Sequence, residues 1–279
     1  ISLDAISDMQ VAIAPYDVKL GNFTGGSINA VTRSGTNKTE TSIYSFGRVG
    51  YLTGPDNVGD GSIMPTNYYD YQAGARVGFP IIKDKLFMFV NGETTNRNEP
   101  LFYGAGQSGT FMTTATAQRI TDSLSSSTFM NGRTYNPGAY GAYSIFAKSN
   151  KFFTRVDWNV NENNKLSFRT NLINSSASNL ERSTNEFQFG NYDFIQNNLN
   201  SSTVAELKTK IGTKLNNSAI VGFTYIHDFR DPTGDIFPQI QINNVNGGGR
   251  ILLGTNREAG IFNMKQRTIE LTNNLTYLA

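Results

Sequence analysis

Cysteine is absent from this chain, and histidine occurs once, at His227. Without cysteine there can be no disulfide, no thiolate metal site and no cysteine nucleophile. A single imidazole excludes a histidine-rich metal centre, and there is no Gly-x-Ser-x-Gly motif for His227 to serve as a catalytic base. Charge is scarce as well: Asp, Glu, Lys and Arg make up 16% of the residues, against about 25% in ordinary soluble domains. The net charge is +2, with no basic cluster along one face, so the footprint of a nucleic-acid binder is missing. No window supplies the ~18 consecutive apolar residues of a membrane-spanning helix. The opening residues, Ile1-Ser2-Leu3-Asp4, do not form a signal peptide.

Aromatic residues are plentiful. There are 19 Phe and 13 Tyr beside a single Trp, 12% of the chain together, with 27 Gly. That is too aromatic for a disordered segment. The abundance of Asn, Ser, Thr, Gly and Tyr points to an all-β protein with long polar loops. Alternation supports this. Phe152, Thr154, Val156, Trp158 and Val160 fall on one side of a strand whose other side carries Arg155, Asp157 and Asn159. Leu166, Phe168 and Leu172 oppose Lys165, Ser167, Arg169 and Asn171, and the polar link 161–164 between the two runs makes them a β-hairpin. Similar runs cover 40–48, 68–77, 86–94, 203–211, 218–228 and 266–277. The result is about eight strands of roughly ten residues, the length a tilted strand needs to cross a bilayer.

Connection lengths sort into two kinds. Short links (78–85, 161–164, 212–217) alternate with long ones (49–67, 95–151, 175–202, 229–265). Short turns at one rim and long loops at the other are the habit of a transmembrane β-barrel. Tyr44, Phe46, Tyr68, Tyr69, Phe152, Phe153, Tyr225 and Tyr277 sit near strand ends, as an interfacial aromatic girdle requires.

Residues 1–37 do not read as barrel. They contain Ala14-Pro15-Tyr16-Asp17-Val18 and then Gly25-Gly26-Ser27-Ile28-Asn29-Ala30-Val31-Thr32-Arg33-Ser34-Gly35-Thr36-Asn37. This stretch resembles the end of the plug domain of a TonB-dependent outer-membrane transporter, closest to the Oar-like branch common in Bacteroidetes and myxobacteria. Further matching stretches are Gly78-Phe79-Pro80-Ile81-Ile82-Lys83-Asp84-Lys85-Leu86-Phe87, Asn150-Lys151-Phe152-Phe153-Thr154-Arg155-Val156-Asp157-Trp158, Val204-Ala205-Glu206-Leu207, Arg230-Asp231-Pro232 and Ile269-Glu270-Leu271-Thr272-Asn273-Asn274-Leu275-Thr276-Tyr277. The common Arg-Gly-Pro of such plugs is Ile13-Ala14-Pro15 here, and the chain does not close on the aromatic residue that ends most bacterial barrels.

The resemblance implies a fold and a division of the chain. Residues 1–37 would be the plug's C-terminal end, and 38–279 the N-terminal part of an outer-membrane barrel with long extracellular loops. Plugged transporters have about 22 strands, whereas eight enclose only their own side chains; the eight expected here would be about a third of the wall. The implied function is TonB-dependent active transport of a scarce ligand across the outer membrane of a Gram-negative bacterium, with no covalent chemistry and no cofactor. Implied partners are outer-membrane lipid, the TonB energy-coupling complex through a segment not included here, and a surface lipoprotein or secretion-system component.

Candidate residues fall into three groups. Phe102, Tyr103, Phe111, Tyr135, Tyr140 and Tyr143, with Phe129, lie amid Gly and Ser in the longest loop, a mixture suited to apolar or peptide-like ligands. Gly21, Gly25, Gly26, Asn29 and Arg33 mark the plug–barrel junction, where glycine permits close backbone approach. Arg76, Arg155, Asp157, Arg169, Glu206 and Lys208 are expected to face the lumen, holding the plug or lining a ligand path. The stretch Asp56-Asn57-Val58-Gly59-Asp60-Gly61 lacks the ligand spacing and terminal Glu of a calcium loop, so no metal site is expected. A stand-alone or secretion-linked surface barrel with a structural or adhesive role is the alternative reading.

Overall fold

The structure, a computed structural model, describes residues 1–13, 26–52, 68–129, 132 and 134–278. At the N-terminus β1 (Ile6–Ile13) and β2 (Gly26–Thr32) pair antiparallel as a ribbon of their own. Along the chain follow β3 (Glu40–Val49), β4 (Tyr69–Ile82), β5 (Leu86–Leu101), α1 (Thr114–Ser126), β6 (Tyr143–Asn159), β7 (Asn164–Ser178), β8 (Glu186–Gln188), β9 (Phe194–Ile211), β10 (Leu215–Pro232), β11 (Ile240–Val245), β12 (Gly249–Leu253) and β13 (Asn263–Tyr277). Eight of these strands form one antiparallel sheet in the order β13-β10-β9-β7-β6-β5-β4-β3. Its edges are β3 and β13, so the sheet is an open wall.

The pleat explains which residues face where, since successive side chains in a strand point to opposite sides. One face carries Ile43, Tyr71, Phe152, Trp158, Phe168, Leu172, Leu207, Val221, Phe223, Ile269, Leu271 and Leu275, all exposed. The opposite face carries Tyr44, Glu93, Lys151, Arg155, Asp157 and Glu206, joined by hydrogen bonds and ion pairs. A wall that exposes its apolar side and encloses its ionic side is inverted relative to a water-soluble sheet. It is the arrangement lipid demands of a barrel.

The turns at residues 83–85, 160–163 and 212–214 lie together at one rim. Every strand of the wall is at least as long as its sequence pattern suggests, and most of the added length lies toward the other rim. In β9, alternation ends near Thr203, yet the ladder continues back to Phe194 through Gln196, Asn197, Asn198, Asn200 and Ser201. Residues polar on both faces carry no period-2 signal, although their backbones pair normally. The long connections are correspondingly shorter than expected, at 102–142, 179–193 and 233–262. The aromatic girdle divides between faces: Tyr69, Phe152, Tyr225 and Tyr277 share the apolar face, whereas Tyr44, Phe46 and Phe153 lie on the ionic one.

The long connections do not trail into solvent. β11 pairs antiparallel with β12, which pairs parallel with β8, and α1 packs against this small sheet. The Thr113 side chain caps α1 by accepting from the Thr116 N–H at 3.1 Å. Ala117, Ile120 and Leu124 then face a common core with Met112, Tyr135, Phe187, Phe189, Ile251 and Leu253. The best-buried apolar cluster among the described residues is thus at the rim and not in the wall. We refer to it as the rim module.

Candidate functional site

Two regions bring chemistry-bearing side chains together: the ionic face of the wall, where the N-terminal segment rests on it, and the rim module.

On the wall, register sets the geometry. Tyr44, Gly74, Glu93 and Lys151 stand in one row across β3, β4, β5 and β6. Because Gly74 has no side chain, the Tyr44 ring lies across it and its hydroxyl donates to Glu93 Oε2 at 2.5 Å. Lys151 Nζ donates to Glu93 Oε1 at 2.7 Å, and Ser2 Oγ donates to Oε2 at 2.7 Å. Glu93 is buried, so both carboxylate oxygens are satisfied by donors from other elements, one of them on the N-terminal segment. A buried charge needs such partners.

The next contacts use the predicted wall residues. Arg76 lies 3.3 Å from the Asp4 carboxylate, while within the segment Arg33 Nε donates to the Asp4 carbonyl at 3.1 Å. Arg155 donates to the Thr32 carbonyl at 2.8 Å and to Thr32 Oγ1 at 2.9 Å, while its other edge pairs with Asp157 at 2.8 Å. Arg169 and Lys208 both approach Glu206, at 3.7 and 3.2 Å. Among the described residues, the buried apolar cluster joining segment and wall is Ala5 against Phe89 and Phe153. Gly35 lies flush on the wall: a Cβ there would sit 2.5 Å from the Met88 carbonyl and 2.8 Å from that of Phe79. Two hydrogen bonds between Asn37 and Asp84, at 2.5 and 2.8 Å, then tie the segment to the turn between β4 and β5. A cleft of about 400 Å³ remains between segment and wall, lined by Arg33, Arg76, Arg155 and Glu40 among others.

In the rim module two buried charges organise the loops. Arg182 donates to the carbonyls of Gln188, Gly141 and Ala139 at 3.0, 2.6 and 3.0 Å, and its guanidinium lies over the Phe187 ring at 4.6 Å. Burial lowers its pKa to about 10. The Asp193 carboxylate accepts from the Asn179 and Phe194 N–H groups and from the Tyr143 hydroxyl, at 2.7, 2.8 and 2.8 Å. Burial nonetheless holds its carboxyl above the usual value. Tyr135, stacked on Phe237 with ring centroids 3.9 Å apart, is pushed up to about 12 by the same cause.

All six expected lumen-facing residues, Arg76, Arg155, Asp157, Arg169, Glu206 and Lys208, share the ionic face. Of the junction residues, Arg33 contacts Asp4, Asn29 is exposed in β2 opposite Gln10, and Gly26 ends the β1–β2 ladder. Gly21, Gly25 and the stretch 56–61 lie outside the described residues. The loop aromatics are spread through the module. Tyr135 is buried, Phe111, Phe129 and Tyr140 pack on the same core, Tyr143 joins a second cluster with Leu180, Tyr103 is half-buried, and Phe102 is exposed. Sequence reasoning missed Ser2, Asp4, Glu93, Arg182 and Asp193. Only Glu93 had a legible signal, as the carboxylate in phase with Phe89 and Asn91 on β5.

An open antiparallel wall with an apolar outer face, an ionic inner face and short turns at one rim is a section of an outer-membrane β-barrel. The comparisons agree. No family model matches the chain. Over 96 residues it is 35% identical to the TonB-dependent transporter Oar of Myxococcus xanthus, a match covering 32% of this chain and 9% of that protein. The crystal structure of the outer membrane transporter YddB from Escherichia coli superposes with a TM-score of 0.57 at 13% identity, covering 99% of this chain and 32% of that one. The chain therefore spans about a tenth of the one protein and a third of the other. In sequence it resembles a part of a TonB-dependent transporter, and its fold is that of part of an outer-membrane transporter barrel. Its place is the outer membrane of a Gram-negative bacterium.

Proposed function

We propose that residues 1–37 are the end of a plug and 38–279 the first strands of the barrel around it, in a protein that takes up a scarce, peptide-like ligand using energy delivered through TonB. The observation that carries this reading is the seating of the N-terminal segment. Among its described residues, it lies on the ionic face of a lipid-embedded wall through Ser2, Asp4 and Thr32, with Ala5 in buried apolar contact. Polar contacts of this kind exchange readily with water, so a pulled plug can leave the wall at low cost. The rim module, with Phe102 exposed and Tyr103 half-buried, would meet the ligand first. Phe111, Tyr135, Tyr140 and Tyr143 would hold that surface in shape. The work is binding and passage, with no covalent step.

Deleting TonB, or collapsing the proton gradient, in cells making the full protein tests the reading. Ligand-dependent growth or uptake is expected to fall at least tenfold. Unchanged function would overturn the energised reading and favour a structural, adhesive or secretion-linked surface barrel.

A further inference from the structure

A cleft of about 440 Å³ opens where β8, β11 and β12 meet the long-rim ends of β9 and β10, within the range of roughly 300–1,000 Å³ usual for small-molecule sites. Its floor belongs to the inner face: Phe194 and Arg230 continue the rows of Glu206 and Ser218 without a register break. Its lining is almost entirely polar. Arg230, Arg250 and Arg257 contribute three cations, Glu181, Glu186 and Glu258 three anions, and most of the remainder are Asn and Gln.

Four of these six charges are already paired. Arg230 lies 3.0 Å from Glu258 and is held between the rings of Phe194 and Phe262. Arg250 pairs with Glu186. Among the described residues, the Arg257 guanidinium and the Glu181 carboxylate have no such partner. The cleft thus presents one open site for an anion and one for a cation, in a lining rich in amide side chains that each donate and accept, as a peptide group does.

We propose that this cleft binds short peptides with free termini, the α-carboxylate on Arg257 and the α-ammonium on Glu181. The inference rests on the transport reading and names the ligand class of its rim. Charge-assisted hydrogen bonds at both ends would recognise the zwitterion, and the amides lining the cleft would accept many side chains.

Equilibrium capture tests it. Detergent-purified full protein would be incubated with a pool of random-sequence tripeptides free at both ends, and separately with the same pool acetylated and amidated, the singly acetylated and singly amidated pools serving for the variants. Bound peptide would be measured by mass spectrometry. At least tenfold greater retention of the free pool is expected. Glu181→Gln should abolish discrimination against N-acetylation alone, and Arg257→Gln discrimination against C-amidation alone. Both side chains are exposed and unpaired, so neither change should disturb folding. Equal retention of the two pools, retention of neither, or unaltered discrimination in both variants would overturn the proposal. Capture needs no TonB, so its failure leaves the energised reading standing, and loss of the energised reading leaves a positive capture result intact.

Discussion

At the scale of single residues, the chain spends its buried charge on joining pieces distant in sequence. Asp193 holds the start of β9 to the Asn179 backbone and to the Tyr143 hydroxyl. Because burial raises its pKa, the folded module binds this proton more tightly than the unfolded chain does. The stability contributed by that preference is fully present below the unfolded value, near 3.8, and is lost as pH rises through the higher folded value. Hydrogen exchange of rim-module amides, corrected for intrinsic rates, should therefore show part of its protection declining as pH rises from below 3.8 through the higher folded value. Asp193→Asn should remove that pH-dependent part. An identical profile in the variant would mean that another group titrates. No periodicity marks Asp193 or Arg182 as buried, because their burial depends on how three separate connections assemble.

At the scale of elements, the row Tyr44–Gly74–Glu93–Lys151 shows how register creates a site. A shift of one residue in any pairing would send one of these side chains to the lipid face. Removing the Glu93 charge alone leaves the Lys151 ammonium facing a neutral group in a largely enclosed position. Glu93→Gln is expected to destabilise the seating of the N-terminal segment by about 2 kcal/mol, below the ~3–5 kcal/mol of a fully buried pair because Lys151 is partly solvated. Replacing both partners, as in Glu93→Leu with Lys151→Met, should cost less than the single change. Denaturant-dependent protease release of residues 1–37 from the full protein measures both. Additive losses would show that the two groups do not act as a pair. α1 was legible in principle, since a threonine cap precedes Ala117, Ile120 and Leu124, but the Ser- and Thr-rich surroundings read as loop. Its helix is secured by the core it joins.

At the scale of the whole molecule, one face of the wall must meet lipid. Trp158 is the single tryptophan of these residues, 41% exposed on that face near the short-turn rim. In full protein retaining Trp158 as its lone tryptophan, bilayers brominated along the acyl chains should quench its fluorescence by at least half. Quenching instead by water-soluble acrylamide, with bromine ineffective, would place this face in water. The apolar alternation of each strand, the two classes of connection and the ionic character of the inner face are all local patterns, and the sequence by itself determined them. Local pattern carries them because each depends on which side of its own strand a residue occupies. Tertiary structure alone decided that Glu93 meets Ser2, that Gly35 lies flush on the wall, and that the long connections share one core. It also left Arg257 and Glu181 unpaired in a common cleft. Those outcomes depend on distances between segments far apart in the chain, which only the continuous register of the wall brings within reach.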